Sequence, residues 1–303
     1  MITKKKNLVY FGSPDFSANI LQNLLKDKSL PFNITAIVTQ PDQPSSRGQK
    51  MTPSPVAQLA QQHDLPVYKP KQLNSANLDH LKLLKPELFL VIAYGKILPQ
   101  SWLDTPSLGT FNLHFSLLPK YRGGLCVSEA IKNGDSKTGV TLIQLDTHMD
   151  HGPIIGQIDQ DIDTNDNVTD LLIKLTFTGT SLLQQQLPLI ASLKHSLTPQ
   201  DHSKATHTPL TSTRTKKSAF IPWNTIKLAL KGKQSIKTHH LISSLNPQPG
   251  AWTKINIKQK EYIFKIIRTH LDQDKLVIDT IQLSSKQPTS WQAFLSGHPV
   301  PFS

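Results

Sequence analysis

Asn112 and His114 stand two residues apart in TFNLH, residues 110–114, a run whose pattern predicts a β-strand. Side chains two apart on a strand leave on one face, so an amide and an imidazole are aimed at one point. A second polar stretch, Asp146-Thr147-His148-Met149-Asp150-His151-Gly152-Pro153, follows the apolar run 140–145. Parallel sheets place their sites at such carboxyl ends, where Asp150 can reach His114. An Asn, a His and an Asp meeting at a sheet rim suit acyl transfer to an amine. When an amine attacks a formyl carbon the oxygen becomes an oxyanion, which Asn112 and a protonated His114 would stabilise. One such donor is worth about 2.7 to 4 kcal/mol of barrier. A carboxylate favours the charged imidazole and accepts the amine's proton directly or through water, and Asp150 fits both roles. Taken singly, the same residues have plainer readings: a hydrogen-bonded structural histidine and a turn-forming aspartate.

The elements that must position these residues read as an α/β pattern. Residues 8–11, 34–38, 88–93, 110–114, 140–145 and 154–162 are expected as strands, and 88–93 (LFLVIA) is apolar throughout, as a strand covered on both faces would be. Between them, Phe16, Ile20, Leu21, Leu24 and Leu25 recur at helical spacing, and helices are expected at 55–63, up to Leu84, and at 168–194. Asp166 or Asn167 can cap the last of these, and Pro188 is expected to kink it. The result is a mostly parallel, Rossmann-like sheet covered by helices. No Gly-x-Gly-x-x-Gly follows the first strand, which argues against the usual nucleotide phosphate loop. Residues 39–54 form a long polar loop, and loops of that length are often functional.

The chain divides on the same reading into a domain over 1–195, a Ser/Thr/Pro-rich linker over 196–215, and a small β-barrel over 216–303 built from strands at 252–257, 262–269 and 276–283. Charge follows this division. The net charge is +12; residues 1–203 hold 18 Lys and Arg against 17 Asp and Glu, whereas residues 204–303 hold 15 against 4, a balance of +11. A basic module attached to a neutral one fits polyanion binding. Trp223, Trp252 and Trp291 are read as barrel core rather than stacking platforms. No apolar run approaches the roughly 20 residues of a membrane span. The apolar run after Lys4-Lys5-Lys6 stops at Gly12, too short for a signal peptide, and the single cysteine, Cys126, fits a reducing compartment; a cytoplasmic location is expected.

The motif Asn112-x-His114-x-Ser116-Leu117-Leu118-Pro119-x-x-Arg122-Gly123, with Asp146-x-x-x-Asp150-x-Gly152, resembles the signatures of folate-dependent formyltransferases, and along nearly the whole chain the sequence is similar to the methionyl-tRNA formyltransferases. The resemblance implies a formyltransferase domain followed by a small OB-like β-barrel. It implies Asn112, His114 and Asp150 as the catalytic set. Ser116, Leu117, Leu118 and Pro119, with Ala93, Tyr94 and Gly95, would line the folate site. It further implies 10-formyltetrahydrofolate as formyl donor, no metal, initiator methionyl-tRNA as acceptor, and a monomer. Residues 39–50 resemble the loop by which that family probes the acceptor end of tRNA, placing Arg47 and Lys50 at the nucleic acid; a guanidinium fork bridges phosphate and base edges. The basic third, with Trp223 and Pro247-x-Pro249-Gly250-Ala251-Trp252, resembles the family's barrel domain.

Three departures from the pattern stand out. Gly124-Leu125-Cys126-Val127-Ser128-Glu129 replaces the usual Ala-x-Pro-x-Gln after Arg-Gly. His148 and His151 stand where Gly and Thr are common, and Ser46 precedes Arg47 where Gly is usual. His114, His148, His151, Asp146 and Asp150 also invite a metal reading, but His148 and His151 are three apart in a turn rather than four apart on a helix, so none is expected. Two other readings compete: a formyltransferase for a small amine such as a nucleotide sugar, and a tRNA-binding protein whose active site is retired.

Overall fold

The structure is a computed structural model that describes residues 4–45, 50–257 and 259–298. In chain order its strands are β1 (Lys6–Gly12), β2 (Phe32–Val38), β3 (Gln43–Ser45), β4 (Lys50–Thr52), β5 (Val67–Tyr68), β6 (Leu88–Ile92), β7 (Thr110–His114), β8 (Lys137–Gln144), β9 (Ile154–Asp161), β10 (Trp252–Ile257), β11 (Lys260–Asp272), β12 (Lys275–Leu283) and β13 (Thr289–Ser290). The helices are α1 (Asp15–Lys26), α2 (Pro55–Gln62), α3 (Ser75–Lys82), α4 (Gln100–Leu103), α5 (Cys126–Asn133), α6 (Val168–Ala191), α7 (Trp223–Leu230), α8 (Ser235–Leu245) and α9 (Trp291–Gly297). Backbone contacts divide the chain into two compact units. The first holds the residues up to Gly124, Gly139–Gln160 and Ile173–His207; the second holds Leu125–Thr138, Asp161–Leu172 and the residues from Thr208 on. Among the described residues no helix is long and apolar enough to cross a membrane.

The first unit is the Rossmann-like domain. Its seven-stranded sheet has the order β5-β2-β1-β6-β7-β8-β9. The ladders from β5 to β7 are parallel, and β7 pairs antiparallel with β8. The chain leaves β1 on one side for β2 and β5 and returns on the other for β6, so strand order reverses beside β1, where open sheets bind ligands. Gly12 ends β1 because nothing larger fits: a β-carbon there would lie 2.1 Å from Ser17 Oγ and 2.9 Å from the Ile92 carbonyl oxygen. Ser17 Oγ donates to that carbonyl, which joins α1 to the end of β6. Ser54 caps α2 by accepting from Ala57 N, with Pro55 in the first turn. Asn167 is the residue that caps α6, its side chain accepting from Thr169 N and Asp170 N. Val9, Phe11, Val38, Phe89, Tyr94 and Trp102 form part of the core on one sheet face.

In the second unit β10, β11, β12 and β13 form an antiparallel sheet in that order. Two register shifts interrupt the β11–β12 ladder around Arg268. Ile226, Ile242, Ile255, Phe264, Ile281 and Trp291 are among its core side chains, with Trp223 packed against them. The helix α5 has no counterpart in the sequence reading and belongs to this unit, packing on α8; Gly134 ends it in the left-handed region, φ 74°.

Candidate active site

Asn112 and His114 emerge together from the carboxyl end of β7, beside β6, where Asn112 pairs in register with Val91. Asp150 comes from the β8–β9 loop with φ 50°, a region L side chains seldom occupy, so the surrounding bonds must hold it there. Gly152 permits that turn: a β-carbon at this position would fall 1.9 Å from the Gln144 carbonyl oxygen.

The three side chains converge. Asn112 Nδ2 donates to Asp150 Oδ1 at 3.4 Å, and His114 Nδ1 lies 3.5 Å from Asp150 Oδ2, both members of the latter pair being largely buried. Asp150 Oδ2 also accepts from the Gly123 backbone N–H at 2.8 Å. His114 Nε2 is 3.0 Å from the Tyr121 carbonyl oxygen, which can only accept, so Nε2 carries the hydrogen. The neutral ring then presents Nδ1 as a proton acceptor; the imidazolium presents it as a donor. Chemically, the arrangement offers an amide donor, an imidazole and a fixed carboxylate around one point.

The segment after β7 is held by buried bonds. Ser116 Oγ donates to the Lys120 carbonyl. Thr141 Oγ1 donates to the Ser116 carbonyl at 2.6 Å and accepts from Leu118 N at 3.1 Å. Gln157 Nε2 reaches both Leu118 O and Thr141 Oγ1 at 2.9 Å. The Leu118–Pro119 peptide is cis. Leu118 is buried, while Leu117 and Pro119 are half-buried.

The other site residues fall as follows. Ala93 and Gly95 are exposed at the end of β6, both with positive φ. Tyr94 between them turns its ring into the core against Phe11, 5.5 Å between centroids, and burial pushes its hydroxyl up to about 12. Only the Tyr94 backbone is engaged beside the loop, its carbonyl accepting from Gln40 Nε2. Arg47 lies outside the described residues; Lys50 begins β4, one strand of the short β3–β4 hairpin inside the expected polar loop.

Two residues that sequence reasoning did not assign to the site hold it from behind. Buried Gln200 donates to the carbonyls of Asp150 (2.9 Å) and Gly152 (2.8 Å). Its Oε1 accepts from Arg122 Nε and Nη2, and Arg122 is likewise buried. Arg122 was visible as part of the Arg-Gly motif. A single glutamine in a Ser/Thr/Pro-rich stretch carries no local signal, because its partners are main-chain atoms far away in sequence. Strand-like bonds between Ile154 and Thr198, and between Arg122 N and Thr206 O, fix the backbone on either side of it.

Comparison with known proteins gives this geometry a family. The family described as formyl transferase matches residues 5–187. A methionyl-tRNA formyltransferase from Kosmotoga olearia is 37% identical over 249 residues, covering 82% of this chain and 76% of that protein. Among solved structures, the methionyl-tRNA formyltransferase from Clostridium thermocellum aligns with a TM-score of 0.60 at 16% identity, over 92% of this chain and 98% of its own. The N-formyltransferase from Helicobacter canadensis, solved with folinic acid and dTDP-3-aminofucose, aligns with a TM-score of 0.60 at 20% identity, over 88% of each chain. These last two likenesses speak for the fold, and the sequence match carries the kinship: the chain belongs to the formyl transferase family and, within it, to the methionyl-tRNA formyltransferases.

Proposed function

We propose that this chain transfers the formyl group of 10-formyltetrahydrofolate to the free amino group of initiator methionyl-tRNA, with Asn112, His114 and Asp150 as its catalytic residues. The observation that carries the chemistry is the convergence of an amide, an imidazole and a carboxylate at the end of β7. The amine nitrogen attacks the formyl carbon, and the carbonyl electrons move onto oxygen. Asn112 Nδ2 and His114 Nδ1–H donate to that oxyanion. Asp150, anchored by Gly123 N–H, takes the amine's proton directly or through water. When the carbonyl re-forms, the bond to N10 breaks, and that proton ends on N10 of tetrahydrofolate. The formyl carbon is already activated by its donor, so neither a covalent enzyme intermediate nor a metal takes part.

Ser116, Leu117, Leu118 and Pro119, with the backbone of Ala93, Tyr94 and Gly95, would form the folate slot. Arg47 and Lys50 would read the tRNA acceptor end. Residues 216–303, which fall in the basic third of the chain, would hold its phosphates after a linker over 196–215. We also propose a monomer working in the cytoplasm. One assay tests the reading: 10-formyltetrahydrofolate and charged initiator tRNA are incubated with the protein, and N-formylmethionine is measured beside formylation of a nucleotide amino sugar. Product on the tRNA alone supports the proposal; preference for the sugar would transfer it to the small-amine branch, and no product from either would mark a retired site.

A further inference from the structure

Nothing in the formyl transfer uses His148 or His151, yet both imidazoles meet Asp146 on the β8–β9 loop. One ligand atom from each of the three residues lies within 4.8 Å of the other two. His151 Nδ1 is 2.7 Å from Asp146 Oδ2, and His148 Nδ1 is 4.0 Å from Asp146 Oδ1. The carboxylate is held in place, since its Oδ1 also accepts from the His148 backbone N–H at 2.8 Å. Behind His151, the ring of His202 stacks at 4.1 Å between centroids, with the planes 4° apart. His202 Nδ1 is engaged by the Arg122 guanidinium at 2.8 Å, so this ring sets the plane of His151 and is not counted as a ligand. Chain spacing argued against a metal because the two histidines sit three apart in a turn. The fold narrows the five residues that invited a metal reading to three, bringing Asp146 within reach of both rings.

We infer that Asp146, His148 and His151 form a binding site for a divalent transition ion of zinc's class. Two imidazole nitrogens and one carboxylate oxygen are the donor set such borderline ions take, whereas magnesium and calcium favour all-oxygen shells. Three protein ligands on an exposed loop leave the remaining positions to water. The ion would sit beside the reacting groups rather than among them, because Asp150, in the same loop, turns to Gly123 and His114. Its occupancy would clamp residues 146–151 and with them the backbone of Asp150. That consequence rests on the catalytic role proposed above; the binding itself does not.

The test is calorimetric titration of the full-length, tag-free protein with zinc chloride, with magnesium chloride as the control. Expected is one saturable zinc equivalent, no magnesium binding, and an affinity weakened about tenfold or more in His148→Ala and His151→Ala. His148→Gln keeps the side chain's bulk without the imidazole and guards against a folding artefact, with circular dichroism run alongside each variant. Absence of saturable zinc binding overturns the site. So does binding whose affinity is unchanged in all three variants, which would assign the ion to other histidines. Because the readout is heat of binding, a negative result is distinct from failure of the formyl-transfer reading.

Discussion

His114 commits Nε2 to the Tyr121 carbonyl and turns Nδ1 toward Asp150, so one ring provides anchorage and leaves a nitrogen for the chemistry proposed above. On that proposal, replacing it by alanine removes an oxyanion donor, and kcat for formyl transfer is expected to fall roughly 10²- to 10³-fold. Single-turnover formylation of charged initiator tRNA, on protein whose circular dichroism matches wild type, measures this; an unchanged rate would remove His114 from the mechanism. On the same proposal Gln200 would act at one remove, as a positioning residue for Asp150. Gln200→Leu strips donors from two carbonyls, Asp150 O and Gly152 O, and leaves Arg122 without its amide acceptor. Leaving buried groups unpaired costs about 1 to 3 kcal/mol each. The expected result is a lower kcat with the KM for folate unchanged. A loss of thermal stability without any change in kcat would show a purely structural role. The contrast between these residues explains what the sequence made legible. Asn112 and His114 sit at strand spacing inside a motif, whereas Gln200 is defined by the carbonyls it serves, and no residue pattern encodes those.

At the scale of elements, strands were read best where the apolar run is uninterrupted, as in β6, because burial on both faces leaves a plain signature. The helix α5 was missed since its first half, Cys126 to Glu129, falls in a departure from the family motif, and the helix it packs on, α8, lies about a hundred residues away. Within the first half of the chain, the β3–β4 hairpin was read as loop because its strands are three residues each. The cap of α6 offers a direct check on local energetics: Asn167 accepts from two backbone amides of the first turn. Asn167→Ala is expected to cost about 1 kcal/mol in urea unfolding, with activity little changed. No change in the denaturation midpoint would mean that water replaces the cap without loss.

For the whole molecule, charge and protonation give the global handles. With a balance of +11 over residues 204–303, tRNA association is expected to weaken steeply with salt while folate use hardly responds. Steady-state KM values for the two substrates across a salt series measure the difference, and parallel slopes would deny the basic third its role. Protonation acts through His239, buried in the second unit between the Thr269 hydroxyl and the Thr164 carbonyl. Burial holds its pKa below the ordinary 6.5, against the opposing pull of the Thr164 carbonyl. The unfolded chain therefore binds this proton more readily. The stability tied to the neutral ring is complete above pH 6.5 and is lost as pH falls from there through the folded value. Thermal melts across that window should decline in wild type and flatten in His239→Gln; identical profiles would place the sensitivity elsewhere.

The chain visits its second unit three times, contributing Leu125–Thr138 and Asp161–Leu172 before it settles there from Thr208 onward. Such weaving makes the carboxyl-terminal portion unlike a bead that can be snipped from a string. A gene truncated after His207 would still encode α5, with buried Val127, Ala130 and Ile131, but not α8, the helix against which α5 packs. Stop codons placed at that seam should yield sticky, dye-binding protein, so any dissection of catalysis from RNA capture is better pursued by neutralising surface lysines than by cutting.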